Sequence, residues 1–183
     1  LSELFPTHAF LAEESGAIAR TDAPVQWVID PLDGTLNFAH HIPLFCISIA
    51  AVVNGRTEAG VIYDPMLNEL YLAERGKGAF LNGNRIRVSG VDEFQMAVLS
   101  TGFPYASSAL RDKNVAQLMK FRDHANPIRI IGSAALTLAY IAAGRFDVYW
   151  VSNLKPWDVA AGSLLIEEAG GAITHFDGSP HDM

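Results

Sequence analysis

The chain has a single cysteine, Cys46, among 183 residues. No disulfide can form within it, and a reducing, cytoplasmic setting is the expectation. Basic residues are scarce: Lys and Arg number 13 against 20 Asp and Glu, a formal net charge of -7. They form no run and no stripe interleaved with aromatics, so neither nucleic acid nor an anionic membrane is an expected partner. No stretch of about 18 apolar residues occurs, which excludes a membrane-spanning helix. The first residues, Leu-Ser-Glu-Leu-Phe-Pro, lack the basic and apolar regions of a secretion signal. The six histidines have no metal-ligand spacing, and His40, His41 and His181 read as surface residues. What remains is an acidic chain, half of it hydrophobic, with enough apolar mass for one compact body of two lobes.

The acidic residues are not spread evenly. Residues 27–35 read Trp-Val-Ile-Asp-Pro-Leu-Asp-Gly-Thr. A short apolar run ends at Asp30, Pro31 bends the chain, and Asp33 precedes Gly34-Thr35. Two hard oxygen ligands on a turn suit Mg²⁺, which is held by a few carboxylates together with water and substrate phosphate. Backbone N–H groups at a Gly-containing turn suit phosphate itself. The same residues also suit a bland turn cap. Two other acidic places stand out, Glu13-Glu14 and Asp158. Taken singly, the first reads as surface charge and the second as a helix N-cap. Together with Asp30 and Asp33 they supply what a two-metal site needs, carboxylates from separate segments. Gly132-Ser133 lacks the glycine pattern of a nucleophile elbow, so Ser133 reads as an N-cap. Cys46, inside an apolar run, reads as a small buried hydrophobe.

Periodicity places strands up to Asp30, over Phe45–Val53, Glu58–Tyr63 and Glu69–Ala73, and along Arg85–Ser89. Their short connections predict a largely antiparallel sheet over residues 26–89. Beyond it, strands over Ala97–Thr101, Ile128–Ile131, Phe146–Val151 and Ala172–His175 alternate with helices. The helices are Asn114–His124, with Val115, Leu118 and Met119 on one side, then Ala134–Ala143, and one opened by Asp158 that runs to Gly170. Alternation of this kind predicts an α/β fold. The expected lobes are residues 1–92 and 93–183, with the boundary near Gly90–Gln95.

These residues carry a resemblance. Glu13-Glu14-Ser15, the segment Trp27–Thr35 with Asn37-Phe38, Trp157-Asp158 and Glu168-Ala-Gly-Gly171 resemble the inositol monophosphatase family. Gly76-Lys-Gly-Ala-Phe-Leu-Asn-Gly83 and Gly132-Ser-Ala-Ala-Leu136 match it as well. The resemblance implies a layered αβαβα sandwich and Mg²⁺-dependent, lithium-sensitive hydrolysis of a small phosphate monoester by activated water. Glu13, Asp30 and the Leu32 carbonyl then look like ligands of a first metal, and Asp30, Asp33 and Asp158 like those of a second. In all, two or three Mg²⁺ ions are implied. Leu32, Asp33, Gly34, Thr35, Ala134 and Asp158 look like phosphate or substrate contacts, Thr35 also orienting the attacking water. A homodimer and a small phosphorylated substrate are implied partners.

The chain departs from the family pattern at Val151, where many members carry a Glu that contacts a substrate hydroxyl, and at Leu36, which is often Thr. The first puts inositol specificity in question and keeps a fructose-1,6-bisphosphate or nucleotide 3′-phosphate phosphatase open, as well as a catalytically impaired scaffold. The family pattern also extends before Leu1, with two helices and a segment supporting the Thr35 position, and beyond Asp177-Gly178. A 183-residue span of this fold is expected to expose sheet and to be poorly soluble or weakly active alone.

Overall fold

The computed structural model describes residues 1–14, 16–18, 23–103, 108–121 and 128–181. Eight strands form one sheet in the order β2-β1-β3-β4-β5-β6-β7-β8. These are β1 (Ala9–Ala12), β2 (Gly16–Ile18), β3 (Gln26–Asp33), β4 (Cys46–Val53), β5 (Arg56–Asp64), β6 (Glu69–Glu74), β7 (Gly78–Leu81) and β8 (Asn84–Ile86). Every neighbouring pair is antiparallel except β1 with β3. A short helix, α1 (Thr35–Ala39), lies between β3 and β4. Strands β9 (Leu99–Thr101) and β10 (Val148–Trp150) make a second, parallel pair. Helices α2 (Ser108–Phe121) and α3 (Ala134–Ala142) fall between them, and α4 (Pro156–Glu168) follows.

The antiparallel sheet expected over residues 26–89 is present. The run Phe45–Val53 is buried on one face only: Cys46, Ser48, Ala50 and Val52 are covered, and the residues between them less so. That alternation follows from the two-residue period of a strand. The covered face packs on α4, where Gly60 of β5 meets Ala161. A Cβ at Gly60 would lie 2.9 Å from the Ala161 Cα, so the helix sits this close because the strand has no side chain there. Helix α3 packs beside α4 and is buried almost all round, from Ala135 to Ala139 and at Ile141 and Ala142. The main core joins residues of both expected lobes, Ala50, Ile62 and Tyr71 with Leu136, Leu164 and Leu165. A second cluster holds Leu99 and Trp150 against Leu118 and Phe121 of α2. The layers therefore run large sheet, α3 with α4, small sheet, α2. On the large sheet's other face Ile47, Leu70 and Leu72 are exposed among the described residues.

Several sequence expectations need correction. The strand through Asp30 continues to Asp33. Arg85–Ser89 contributes only Arg85 and Ile86 to β8, and β7 lacks the alternation that would have marked it. Ile128–Ile131 is not a strand but a single bridge from Arg129 to Ser100, and Ala172–His175 is reduced to a bridge from Thr174 to Pro180. Phe146–Val151 shortens to β10. Helix α2 begins six residues before Asn114, and His124 lies outside the described residues. Its inner side is also rotated: Asn114, Leu118 and Phe121 face inward, while Val115 and Met119 are exposed. The reason is polar, because the Asn114 amide donates to the Gly102 carbonyl at 2.9 Å. His181 is partly covered rather than a plain surface residue, with its ring 5.2 Å from that of His175.

Candidate active site

Asp30 and Asp33 belong to one strand but stand three residues apart, a spacing that would send them to opposite faces of a regular strand. The strand is not regular there. Asp30 pairs with Ser48 and Asp33 with Cys46, so three steps along β3 match two along β4. This β-bulge brings both carboxylates to the covered face. Pro31 sits within the bulge, where its missing N–H costs no ladder bond. Gly34 then turns the chain into α1 with φ of 96°. A Cβ there would lie 2.9 Å from the Leu44 carbonyl, so this position needs glycine twice over.

The third carboxylate comes from the start of α4. The helix begins at Pro156, with Lys155 as its N-cap, so Asp158 occupies the third helical position and does not open the helix as expected. Its Oδ2 accepts from the Lys155 N–H at 2.7 Å. Ser48 of β4 donates to the Trp157 carbonyl at 3.3 Å, which holds the helix start against the sheet.

One oxygen from each of Asp30, Asp33 and Asp158 lies within 4.8 Å of the other two. Each carboxylate has one oxygen satisfied by the protein. Asp30 Oδ1 accepts from the Leu32 N–H at 2.9 Å. Asp33 Oδ2 accepts from the Ser133 hydroxyl and, at 2.7 Å, from the Ala135 N–H. Each retains a second oxygen able to ligate a cation. Burial is the main cause of the site's altered acidity. It pushes Asp30 up to about 7, against the pull of the Leu32 N–H and with help from Asp33, Glu13 and Asp158. Burial likewise raises Asp158 to about 6, with further repulsion from Asp33 and Glu13. Asp33 is also raised by burial, which its hydrogen bonds to Ser133 and α3 oppose. Lys155 gives Asp158 some opposing charge, but three acids crowded together and partly withdrawn from water remain a destabilising arrangement that a divalent cation would relieve.

The carboxylates floor a cleft of about 430 Å³. Glu13, Leu32, Gly34, Thr35 and Ala134 line it too, so all eight residues selected from the sequence meet in one place. Glu13 is exposed at the rim and outside the tight group of three. The Thr35 hydroxyl donates to the Leu32 carbonyl at 3.1 Å, which leaves a second lone pair on that carbonyl. Asn37 joins the segment after Asp33 to the one before Ser133, donating to Leu44 O at 2.6 Å and Ile131 O at 2.8 Å. Cys46 is fully buried as expected, and burial drives its thiol upward, out of the nucleophilic range.

Two residues were not selected from the sequence. Ser133 caps α3, as expected, by accepting from the Leu136 N–H at 3.2 Å, but it also binds Asp33. Tyr149 lines the cleft; burial and then the charges of Asp33 and Asp158 push its phenol upward. A Gly-Ser pair before an apolar helix signals the cap alone, and a tyrosine in an apolar run signals a strand. Neither carries a local mark of its distant neighbour. Phe103, Ile130 and Val151 supply an apolar outer wall.

The mixed α/β fold thus brings clustered carboxylates into one cleft beside a Gly-Thr turn. The sequence profile of the inositol monophosphatase family matches residues 1–183, and the chain belongs to that family. It is 48% identical over 179 residues to the Nus factor SuhB of Escherichia coli K12, covering 98% of this chain and 67% of that protein. It is 46% identical over 178 residues to the inositol-1-monophosphatase of Mesorhizobium japonicum, covering 97% of this chain and 67% of that protein. The inositol monophosphatase of Anabaena (Nostoc) sp. PCC 7120 superimposes with a TM-score of 0.94 at 45% identity, over 99% of this chain and 72% of that one. The chain thus spans about two thirds of the length of the relatives it matches.

Proposed function

We propose that this chain carries the centre of a Mg²⁺-dependent phosphomonoester hydrolase acting on inositol monophosphate or a related sugar or polyol phosphate. The observation that carries the reading is the set of Asp30, Asp33 and Asp158, each with one oxygen satisfied and one available, beside the Gly34-Thr35 turn. All-oxygen donors of this kind suit Mg²⁺. Asp30, Asp33 and Asp158 would hold one ion, and Asp30, Glu13 and the Leu32 carbonyl a second. Bound there, such ions lower the pKa of water and offset charge developing on a phosphoryl group.

The chain's own residues divide the remaining work. The Thr35 hydroxyl, held on the Leu32 carbonyl, keeps an oxygen lone pair that can accept from the attacking water and aim it. Asp30, which burial raises to about 7 without metal, would be held ionised once it ligates an ion. Gly34, Thr35 and Ala134 offer backbone at the cleft wall where phosphate oxygens would rest. Tyr149 and Val151 line the cleft, and the resemblance puts Val151 where a substrate hydroxyl would lie. A homodimer, which rests on the resemblance, and a cytoplasmic setting, which rests on the single Cys46, belong to the same proposal.

Phosphate release by the full-length protein from a panel of inositol, sugar and nucleotide phosphates, with and without Mg²⁺, tests the reading. Mg²⁺-dependent release that Asp30→Asn abolishes without unfolding the protein supports it. The same panel separates polyol phosphates from fructose 1,6-bisphosphate and nucleotide 3′-phosphates. A second reading, a scaffold that binds without hydrolysing, draws on the Nus-factor name of the Escherichia coli relative. Absence of release from every substrate favours it.

A further inference from the structure

We infer that Ser133 is a positioning residue for the metal-facing carboxylate of Asp33, beyond its role as the cap of α3. The inference rests on the metal-site reading above. It starts from proton counting at a buried hydroxyl. Ser133 is 3% exposed, so water cannot complete its hydrogen bonds. Its oxygen already accepts from the Leu136 N–H. Its single proton is directed at Asp33 Oδ2. The same oxygen accepts from the Ala135 N–H at 2.7 Å, and the Cys46 thiol stands 3.8 Å from it and 3.7 Å from the Ser133 oxygen. Asp33 Oδ2 is therefore enclosed by donors. A cation would have to displace two good hydrogen bonds to reach it. Only Oδ1 remains for coordination, and the carboxylate cannot swing to present both oxygens.

The support behind Ser133 is rigid. Thr137 donates to the Ser133 carbonyl at 2.6 Å, and the helix that follows is buried from Ala135 onward. Asp33 is thus set before any ion arrives, and binding need not order it. This is how a group outside the coordination sphere raises affinity. Ser133 also couples the β3 bulge to α3, joining two segments 100 residues apart.

Mg²⁺ titration calorimetry on the full-length protein and its variants tests the inference, read beside metal-free melting temperatures in EDTA. Ser133→Gly keeps an acceptable N-cap but removes the donor. Ser133→Ala removes both, and Ser133→Thr keeps both. The expected result is Mg²⁺ affinity about tenfold weaker in Ser133→Gly and Ser133→Ala, near the unsubstituted value in Ser133→Thr, and a metal-free melting temperature little changed in Ser133→Gly. Unchanged affinity in Ser133→Gly, with any defect of Ser133→Ala confined to metal-free melting, reduces Ser133 to a cap and overturns the inference. A protein with Ser133 intact that takes up no Mg²⁺ overturns the metal reading itself. The two failures are therefore distinguishable.

Discussion

Asp30 and Asp33 share a face of β3 because one extra residue lies between them relative to β4, Asp30 opposing Ser48 and Asp33 opposing Cys46. The convergence of two charges is thus a property of the backbone, not of the side chains. Deleting Leu32 removes that residue and restores the period of two, which keeps Asp33, then two residues after Asp30, on the cleft face. The deletion takes away the Leu32 N–H that holds Asp30 Oδ1, and the Leu32 carbonyl with it. We expect weakened Mg²⁺ binding and phosphate release in the deletion variant while far-ultraviolet circular dichroism stays close to that of the parent. Leu32→Ala, which keeps the bulge and its backbone groups, should retain both. A deletion variant that binds Mg²⁺ as tightly as the parent would show that the backbone groups of Leu32 are not needed.

The raised acidity of the site gives stability a definite pH dependence. Asp30 stands at about 7 and Asp158 at about 6 in the fold, against 3.8 for an ordinary carboxylate. The folded protein therefore binds more protons than the unfolded chain between about pH 4 and 7, and stability falls as pH rises through that window. Without metal, the melting temperature should drop between pH 5 and 8. Mg²⁺ should restore it, more at pH 8 than at pH 5, because binding favours the ionised carboxylates. Scanning calorimetry at three pH values with EDTA or Mg²⁺ measures this. A metal-free melting temperature that rises over the same range would contradict the assignment.

Asp30→Asn follows from the same accounting. It removes a buried charge whose ionisation opposes folding, while its amide can still accept from the Leu32 N–H. The variant should melt higher than the parent at pH 8 in EDTA, lose most of the Mg²⁺-induced shift, and release no phosphate. Thermal shift with and without Mg²⁺ reads all but the last.

Asn37 offers a test of the loop's anchorage. Its side-chain amide serves two carbonyls, Leu44 O and Ile131 O. Asn37→Ala leaves both without this donor, at a cost of about 1–3 kcal/mol for each one kept from water. The Gly34-Thr35 turn should loosen against Gly132-Ser133. Steady-state kinetics should show a raised KM for the phosphate ester together with a lowered melting temperature.

Arg145 serves as a control remote from the chemistry. It grips Glu69 through both of its terminal nitrogens, at 2.6 and 2.7 Å, and contacts the Tyr71 hydroxyl at 3.0 Å. The guanidinium is partly in water, so the pair contributes about 1 kcal/mol or less. Arg145→Ala should lower the melting temperature by no more than about 2–4 °C and leave phosphate release unchanged.

Much of this molecule was legible in the chain itself. The apolar run ending at Asp30 announced a strand with two carboxylates at and just beyond its end, and the short connections over residues 26–89 required an antiparallel sheet. Chain chemistry also excluded a protein nucleophile at Cys46 and named Ser133 as a cap. These are local matters of side-chain chemistry and of periods of two or 3.6 residues. Other features could not be read in that way. Ile128–Ile131 has strand-forming residues but makes one bridge, because β9 is three residues long and its edge away from β10 offers Arg129 only a short length. The inner face of α2 was set by the Asn114 amide meeting the Gly102 carbonyl, a contact no hydrophobic pattern records. The second duty of Ser133, the coupling of Tyr149 to Asp33 and Asp158, and the burial that raises Asp30 all arise between segments distant in sequence. The sequence by itself determined which donors the protein possesses. Only the tertiary structure decided which oxygen of each is left for a cation, because that depends on which hydrogen-bond donors the packed helices bring up behind it.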